Sequence, residues 1–337
     1  MRRGSHTLKR VKSADFLAHY FRKKLKKYFA PGDKMVDFIV EETGHEAFKR
    51  SFKYTAIYHN RNGKVINHVI RGNVPSKNQL HELVIADKAL RMLRRNGFDR
   101  GRYQVPLPLG YDKELRLFLY EHSPGIPMIA SVQRVPPKRR KAIIADAALA
   151  INKLHILNLT GPRFWTQAII RSDIKYFKDD FRSLSGDFRD QAYHICDVLK
   201  ERILSIWPKR KKYFRFIHGD YSAYNIIVRK RGLTVIDLGN SLHGDPLFDV
   251  ASFLTQFEIV SAKGKMTSRL IDSMLKEFEK KYRSASNLNS NNDYKKILPI
   301  YRAWWLIQAS AYITTIAKSR LAHKLFVKAQ QYLSMTK

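Results

Sequence analysis

Phe216 to Leu254 reads FIHGDYSAYNIIVRKRGLTVIDLGNSLHGDPLFDVASFL. Within it, Ile226-Ile227-Val228 and Leu233-Thr234-Val235-Ile236 are β-rich runs parted by the charged turn Arg229-Lys230-Arg231-Gly232. That is the pattern of a short antiparallel hairpin. Centred on Arg231, the hairpin sets residue 226 against 236 and Asn225 against Asp237. Facing residues in such a pair have Cα atoms ~4.5–5.5 Å apart, so an amide oxygen and a carboxylate are expected to converge at the open end. A hard-oxygen pair of this kind suits Mg²⁺, with the remaining positions left to water and phosphate. Asp220 stands five residues before Asn225, in the loop after Phe216-Ile217, where it can face a substrate hydroxyl. One carboxylate orienting a nucleophile, with further oxygens holding metal on phosphates, is the set that phosphoryl transfer requires.

The segments HGDYSAYNIIV, VIDLGN and GDPLFDVA together resemble the signature of the aminoglycoside phosphotransferase (phosphotransferase enzyme) family, which choline kinase and related small-molecule kinases share. The resemblance implies a protein-kinase-like fold, ATP and Mg²⁺ as cofactors, Asp220 as catalytic base, and Asn225 and Asp237 as metal ligands. It also makes His218 and Asp249 structural braces of the active loop. LRLFLYEHSPGIPM resembles the inter-lobe hinge, where backbone around Tyr120 to His122, Glu121 included, would meet adenine. ALAINKLHIL resembles the family's helix ending in Leu-His, and His155 there is read as packing.

Tyr221 to Tyr224 fill a loop where relatives often carry His, Pro or Gly, and the small lobe departs from the family's pattern in two further features. The small-lobe cation for the phosphates, normally a Lys on the third strand, falls at Arg71 in HVIRGN. Its planar fork grips phosphate but does not replace an ammonium. Glu82 is expected as its helix partner, with Asp87 close by in sequence. The phosphate-covering turn EETGHEAFK offers only Gly44. Neither a Walker A loop nor a dinucleotide fingerprint is present, and no GxSxG or HExxH occurs.

Outward from this core the chain divides into three predicted regions. Residues 1–34 are a basic tail and an amphipathic helix, 35–121 a nucleotide-binding N-lobe, and 122–337 a catalytic and acceptor-binding C-lobe. From Ser13 the spacing Leu17, Phe21, Leu25, Tyr28 marks the helix, with Arg22, Lys23, Lys24, Lys26 and Lys27 on its other face. Such a helix either packs on the body of the protein, the favoured reading, or lies on an anionic membrane. Strands are predicted at VDFIV, SFKYTAIYH and VINHVIR, the last two joined at Asn62-Gly63. A helix follows at 77–95, and two more strands bracket Gly110-Tyr111. Helices are predicted at 137–157, 187–206, 266–285 and 297–334. A small strand-rich lobe before a larger helical one is an α+β two-lobe architecture, with its ligand site expected in the cleft.

Composition bears on the partners. The 337 residues carry 63 Lys+Arg against 29 Asp+Glu, a formal charge of +34 that attracts anions. Polycationic acceptors such as aminoglycosides need clustered carboxylates, so a neutral or anionic hydroxyl-bearing small molecule is the expected acceptor. An aminoglycoside phosphotransferase proper, and a catalytically weak nucleotide-binding scaffold docking on an anionic partner, are the alternatives. The runs at 137–141 and 208–212 suit peripheral contact with nucleic acid or an anionic membrane. Trp304, Trp305 and Tyr312 are read as core more readily than as an acceptor pocket. One cysteine, Cys196, excludes an internal disulfide and a cysteine zinc cluster, and its apolar helical neighbours predict a buried thiol. The basic start lacks the apolar core of a secretory signal, and the longest apolar run, Ala303 to Ala317, is short of the ~20 residues a span needs. A cytoplasmic protein without a transmembrane segment is therefore expected.

Overall fold

The computed structural model describes residues 8–24, 34–45, 49–60, 62–75, 80–184, 186–286, 291–316 and 319–336. The chain forms two compact units, Met1–Pro124 and Gly125–Lys337.

The first unit is built on β1 (Lys34–His45), β2 (Lys49–His59), β3 (Val65–Pro75), β4 (Pro108–Asp112) and β5 (Leu117–Glu121). They form one antiparallel sheet in the order β1-β2-β3-β5-β4. Alternate residues of β2 (Phe52, Tyr54, Ala56 and Tyr58) are buried, the two-residue period of a strand with one covered face. The β2–β3 turn is organised by Asn60, whose side-chain oxygen accepts from the N–H groups of Asn62 and Lys64. Gly63 supplies the positive φ of +71°. The two strands expected to bracket Gly110-Tyr111 are corrected: both residues lie inside β4, and the reversal comes after it. There Asp112 accepts from the Leu115 N–H, and Arg116 takes φ +48°.

Helix α1 (Ala14–Lys24) covers the sheet. Leu17 and Phe21 are wholly buried, and the Phe21 ring lies 5.0 Å from Phe38 and 5.6 Å from Tyr54. The Tyr54 hydroxyl donates to the Val11 carbonyl, and Tyr20 donates to Asp112 at 2.8 Å. The apolar face that a membrane would need is thus occupied by the unit's own sheet; Leu25 and Tyr28 lie outside the described residues. Helix α2 (Leu80–Leu93) buries Leu83, Ala86, Leu90 and Leu93 at three- and four-residue spacing. Gly97 at φ +83° ends the helical run.

The second unit begins with β6 (Ile126–Pro127) and α3 (Met128–Arg134), followed by α4 (Pro137–Ile156), α5 (Gln167–Phe181) and α6 (Gly186–Arg210). Three short strands come next: β7 (Arg215–Ile217), β8 (Ile226–Val228) and β9 (Leu233–Val235). After β10 (Leu242–Gly244) the chain is helical: α7 (Pro246–Ala262), α8 (Ser268–Ala285), α9 (Asn291–Thr314) and α10 (Ser319–Ser334). β8 pairs with β9 and β6, and β7 pairs with β10.

The single helix expected over 297–334 is two. Thr314 and Thr315 turn their hydroxyls onto the carbonyls of Ala311 and Tyr312, competing with the helical ladder at that point. Helix α7 escaped the sequence reading because it is apolar on nearly every side, the mark of a helix enclosed by its neighbours. Asp245 caps it, accepting from the Leu247 N–H, and Pro246 takes its first turn. Around it, Phe253 stacks on Phe278 at 3.9 Å, and Phe248 meets Trp305 at 4.9 Å and Trp165 at 5.1 Å. Trp304 belongs to this core, whereas Tyr312 is exposed. The Cys196 thiol is buried, which pushes its pKa up to about 12.

Each basic run has one member engaged by the protein itself. Arg140 donates to the carbonyls of Val132 and Val135, and Arg210 is buried against Asp245. Among the described residues no helix is long and apolar enough to cross a membrane.

Candidate active site

The β8–β9 hairpin sets Val228 against Leu233, Ile227 against Thr234 and Ile226 against Val235. Asn225 therefore faces Ile236, whose N–H donates to the Asn225 carbonyl at 2.9 Å. The register expected from the sequence is off by one residue. Arg229 N–H reaches Gly232 O at 2.9 Å, so the chain reverses over Lys230-Arg231 alone, with Gly232 at φ +96°. Asp237 follows immediately in the left-handed region, φ +61° and ψ +58°. That conformation costs a non-glycine residue ~1 kcal/mol and re-aims its side chain. Asn225 and Asp237 thus both stand at the open end of the hairpin.

The loop between β7 and β8 is closed by Asn225. Its amide nitrogen donates to Asp220 twice, to the carbonyl at 2.9 Å and to Oδ2 at 3.1 Å. With the nitrogen committed to Asp220, the amide oxygen is directed away as an acceptor. Tyr221 is buried, and its hydroxyl donates to the Ala147 carbonyl at 2.8 Å. Ala223 O accepts from the N–H of Ile129. Asp220 itself is half-buried at the turn of this loop.

Beneath the loop lies a buried polar layer. His218 Nδ1 accepts from the Asp220 N–H at 3.2 Å, which makes Nε2 the protonated nitrogen and the donor to Ile236 O at 2.9 Å. Burial lowers the His218 pKa and keeps the ring neutral. Asp249, from α7, accepts the backbone N–H of His218 at 2.7 Å and that of Gly219 at 2.8 Å. A third donor is His155 Nε2 at 3.1 Å, and His155 Nδ1 meets the Tyr282 hydroxyl at 3.0 Å. His155 is buried, as its packing role required, but both of its nitrogens are hydrogen-bonded. Sequence spacing held no signal for this, because its partners are 94 and 127 residues away. The buried pair of Arg210 with Asp245, at 2.6 Å, was likewise hidden inside a basic run.

The first unit holds the remaining predicted residues. Arg71 sits on β3 between Lys53 and Tyr120. Its Nε donates to His122 Nδ1 at 3.3 Å and its Nη1 to Thr43 Oγ1 at 3.1 Å. Glu82 is not among its partners, which corrects the pairing expected from the sequence, and Asp87 is engaged by Arg91 one turn along α2. Burial, then the charges of Arg71 and Lys53, lowers the His122 pKa. Gly44 lies within β1 at an irregularity opposite Ser51, not in the turn; residues 46–48 are outside the described set. In the stretch expected to meet adenine, the N–H groups of Glu121 and His122 donate to Leu107 O and Val69 O.

On α5 burial raises Asp173 to a pKa of about 6, against the pull of Arg163. Tyr176 and Tyr312 are exposed, and the Tyr176 hydroxyl is influenced electrostatically by Asp180 and by Tyr312. Among the described residues no group of three or more His, Cys, Asp or Glu is placed to hold a metal. A site of one amide oxygen and one carboxylate is of a different kind, and its hard oxygens match Mg²⁺.

A five-stranded antiparallel unit followed by a helical unit with a braced His-Gly-Asp loop and a hairpin carrying a carboxylate at its open end is a protein-kinase-like α+β fold. The solved structures agree. A choline kinase from Cryptosporidium parvum Iowa II is similar with a TM-score of 0.65 at 14% identity, over 95% of this chain and 94% of that one. The gentamicin complex of the aminoglycoside phosphotransferase APH(2")-IIa gives 0.60 at 16%, over 96% and 98%. The choline kinase LicA from Streptococcus pneumoniae gives 0.56 at 12%, over 94% and 99%. At these identities the likeness is one of fold. No curated protein sequence matches the chain. The profile of the phosphotransferase enzyme family matches residues 74–267, more than half of the chain. The chain belongs to that family.

Proposed function

We propose that this protein is an ATP-dependent phosphotransferase that moves the γ-phosphate to a hydroxyl of a small neutral or anionic molecule. The observation that carries the reading is the loop in which Asn225 closes onto Asp220, over backbone tied to buried Asp249. In that arrangement Asp220 is the base: a carboxylate oxygen orients the acceptor hydroxyl and takes its proton as the oxygen attacks. Asn225, through its amide oxygen, and Asp237 would hold Mg²⁺, which when bound neutralises charge on the phosphates. His218 and Asp249 are braces. Arg71 is the cation for the non-transferred phosphates, Gly44 borders the strand end that covers them, and Glu121 lies on the strand that meets the base. Glu82 stays in the nucleotide set only as a residue of the helix beside that sheet. The lobe at 35–121 then binds nucleotide, and 122–337 carries catalysis and the acceptor. The basic surface, at +34 overall, favours an acceptor that is not a polycation.

One observation favours a second reading. Tyr176 and Tyr312, with Asp180 and the half-buried Asp173, place two phenol rings and two carboxyls in the acceptor region, a combination that suits an amine or quaternary ammonium group. The structurally similar choline kinases and gentamicin-binding APH(2")-IIa make that class the natural comparison. A phosphorylation screen with Mg-ATP against neutral sugars, anionic metabolites, choline and gentamicin separates the readings. Transfer to the first two groups supports the main proposal, and robust transfer only to the cations replaces it with the second. Asp220→Asn is expected to lower turnover by roughly 10²–10⁴-fold with the fold intact. ADP binding with no turnover under any acceptor leaves a nucleotide-binding scaffold instead.

A further inference from the structure

We propose that Tyr282 and His155 are positioning residues of this site, holding the His218-Gly219-Asp220 loop in place through the carboxylate of Asp249. The inference rests on Asp220 being the catalytic base, and its test is arranged so that the two can fail separately.

Asp249 is fully buried, and its carboxylate can only accept. It takes two backbone N–H groups from the loop and one proton from His155 Nε2. A histidine that gives Nε2–H to a carboxylate presents Nδ1 as an acceptor while the ring is neutral. The Tyr282 hydroxyl is therefore the donor at the 3.0 Å contact. Every hydrogen in the chain then points the same way, from Tyr282 to His155 to Asp249, so each bond polarises the next. The opposite tautomer of His155 would set a lone pair against the carboxylate, and Tyr282 disfavours it by offering a proton to Nδ1.

The anchors are rigid. Tyr282 is buried on α8, its ring parallel to Phe278 and edge-on to His155 at 5.8 Å. One turn before His155 on α4, Asn152 donates to the Ala285 carbonyl at the end of α8. Two helices thus fix the imidazole, the imidazole fixes the carboxylate, and the carboxylate holds the backbone on which Asp220 is mounted. Neither residue hydrogen-bonds to Asp220 in this chain of contacts, so their effect is on the loop's position.

The test uses the full chain with Tyr282→Phe, His155→Phe and His155→Gln. The glutamine amide keeps a donor near the place of Nε2. Amide hydrogen exchange is followed at His218 and Gly219, with the last turns of α7 as the internal control. Loss of one aligned hydrogen bond is expected to speed loop exchange about tenfold in Tyr282→Phe, and more in His155→Phe, with the control unchanged. Mg-ATP hydrolysis should lose about five- to tenfold in kcat in both, with KM for ATP within about twofold, and His155→Gln should recover most of it. Unchanged loop exchange in both phenylalanine variants, or faster exchange spread equally over the control helix, overturns the inference. A wild type that neither hydrolyses nor transfers from ATP sinks the proposed function alone, and loop exchange then decides this point by itself.

Discussion

Gly219 and Asp237 both adopt positive φ, and the two positions have opposite tolerances. At Gly219, φ is +80° and an added Cβ would lie 2.1 Å from the Asn240 carbonyl oxygen. Gly219→Ala is therefore expected to cost about 2–4 kcal/mol in a denaturant titration, combining backbone strain with a steric clash. At Asp237 the strain is borne by a side chain. Asp237→Gly relieves ~1 kcal/mol of left-handed strain, so stability should stay within about that amount while Mg²⁺-dependent nucleotide binding is lost, as read by calorimetry with and without Mg²⁺. A fully Mg²⁺-responsive Asp237→Gly protein would remove this residue from the metal set. In the sequence, hairpin spacing brought Asn225 and Asp237 together, and resemblance to the family's signature singled out the His-Gly-Asp loop. The sequence reading missed the hairpin register by one because register depends on turn length, and Gly232 at φ +96° shortens the turn.

Among the elements, α7 was the least legible and organises most of the second unit. A helix apolar on nearly every side has no period to read, so only the GDPLFDVA segment at its start, Asp249 included, was visible. The structure shows why the first aspartate of that segment matters. Asp245 caps the helix and accepts both from Arg210, at 2.6 Å, and from the Tyr301 hydroxyl, at 3.0 Å, in a wholly buried site. Asp245→Ala strands the guanidinium and is expected to cost about 3–5 kcal/mol by urea denaturation, whereas Asp245→Leu combined with Arg210→Met should cost clearly less. Equal losses in the two proteins would show that the pair is not what holds α6 to α7. Helix α1 was legible because Leu17 and Phe21 follow the helical period. Its destination was not, since period alone cannot distinguish a sheet from a membrane surface. Phe21→Ala should cost about 3–5 kcal/mol, as for any large ring removed from a packed core.

Over the whole molecule, charge and titration set the behaviour. With a formal charge of +34, association with the ATP anion should weaken as salt rises, and KM for ATP should climb several-fold between low and near-molar salt. Asp173 bears on stability through its raised pKa of about 6. In the unfolded chain the group titrates near its ordinary value, so between roughly pH 4 and 6 the folded state holds the extra proton. Stability from this group is then lost as pH rises through that window. Asp173→Asn should leave stability unchanged near pH 4 and raise it by about 1–3 kcal/mol above pH 6; a pH-independent difference would contradict the assignment. Lobe order and the Asp220 loop could be read from local patterns, whereas the braces beneath that loop depend on residues far apart in the chain.

The segment shared with the family, 74–267, opens at the next-to-last residue of β3 and closes before Tyr282 begins its work on α8. Cut out by itself it would carry two of the five strands, no α1 to shelter them, and a His155 still facing Asp249 but without its Tyr282 partner. In this chain the matched stretch therefore leaves out most of the antiparallel sheet and the helix packed on it. The helix that covers the sheet and the tyrosine that meets His155 lie outside that stretch, whereas the carboxylate holding the loop lies within it.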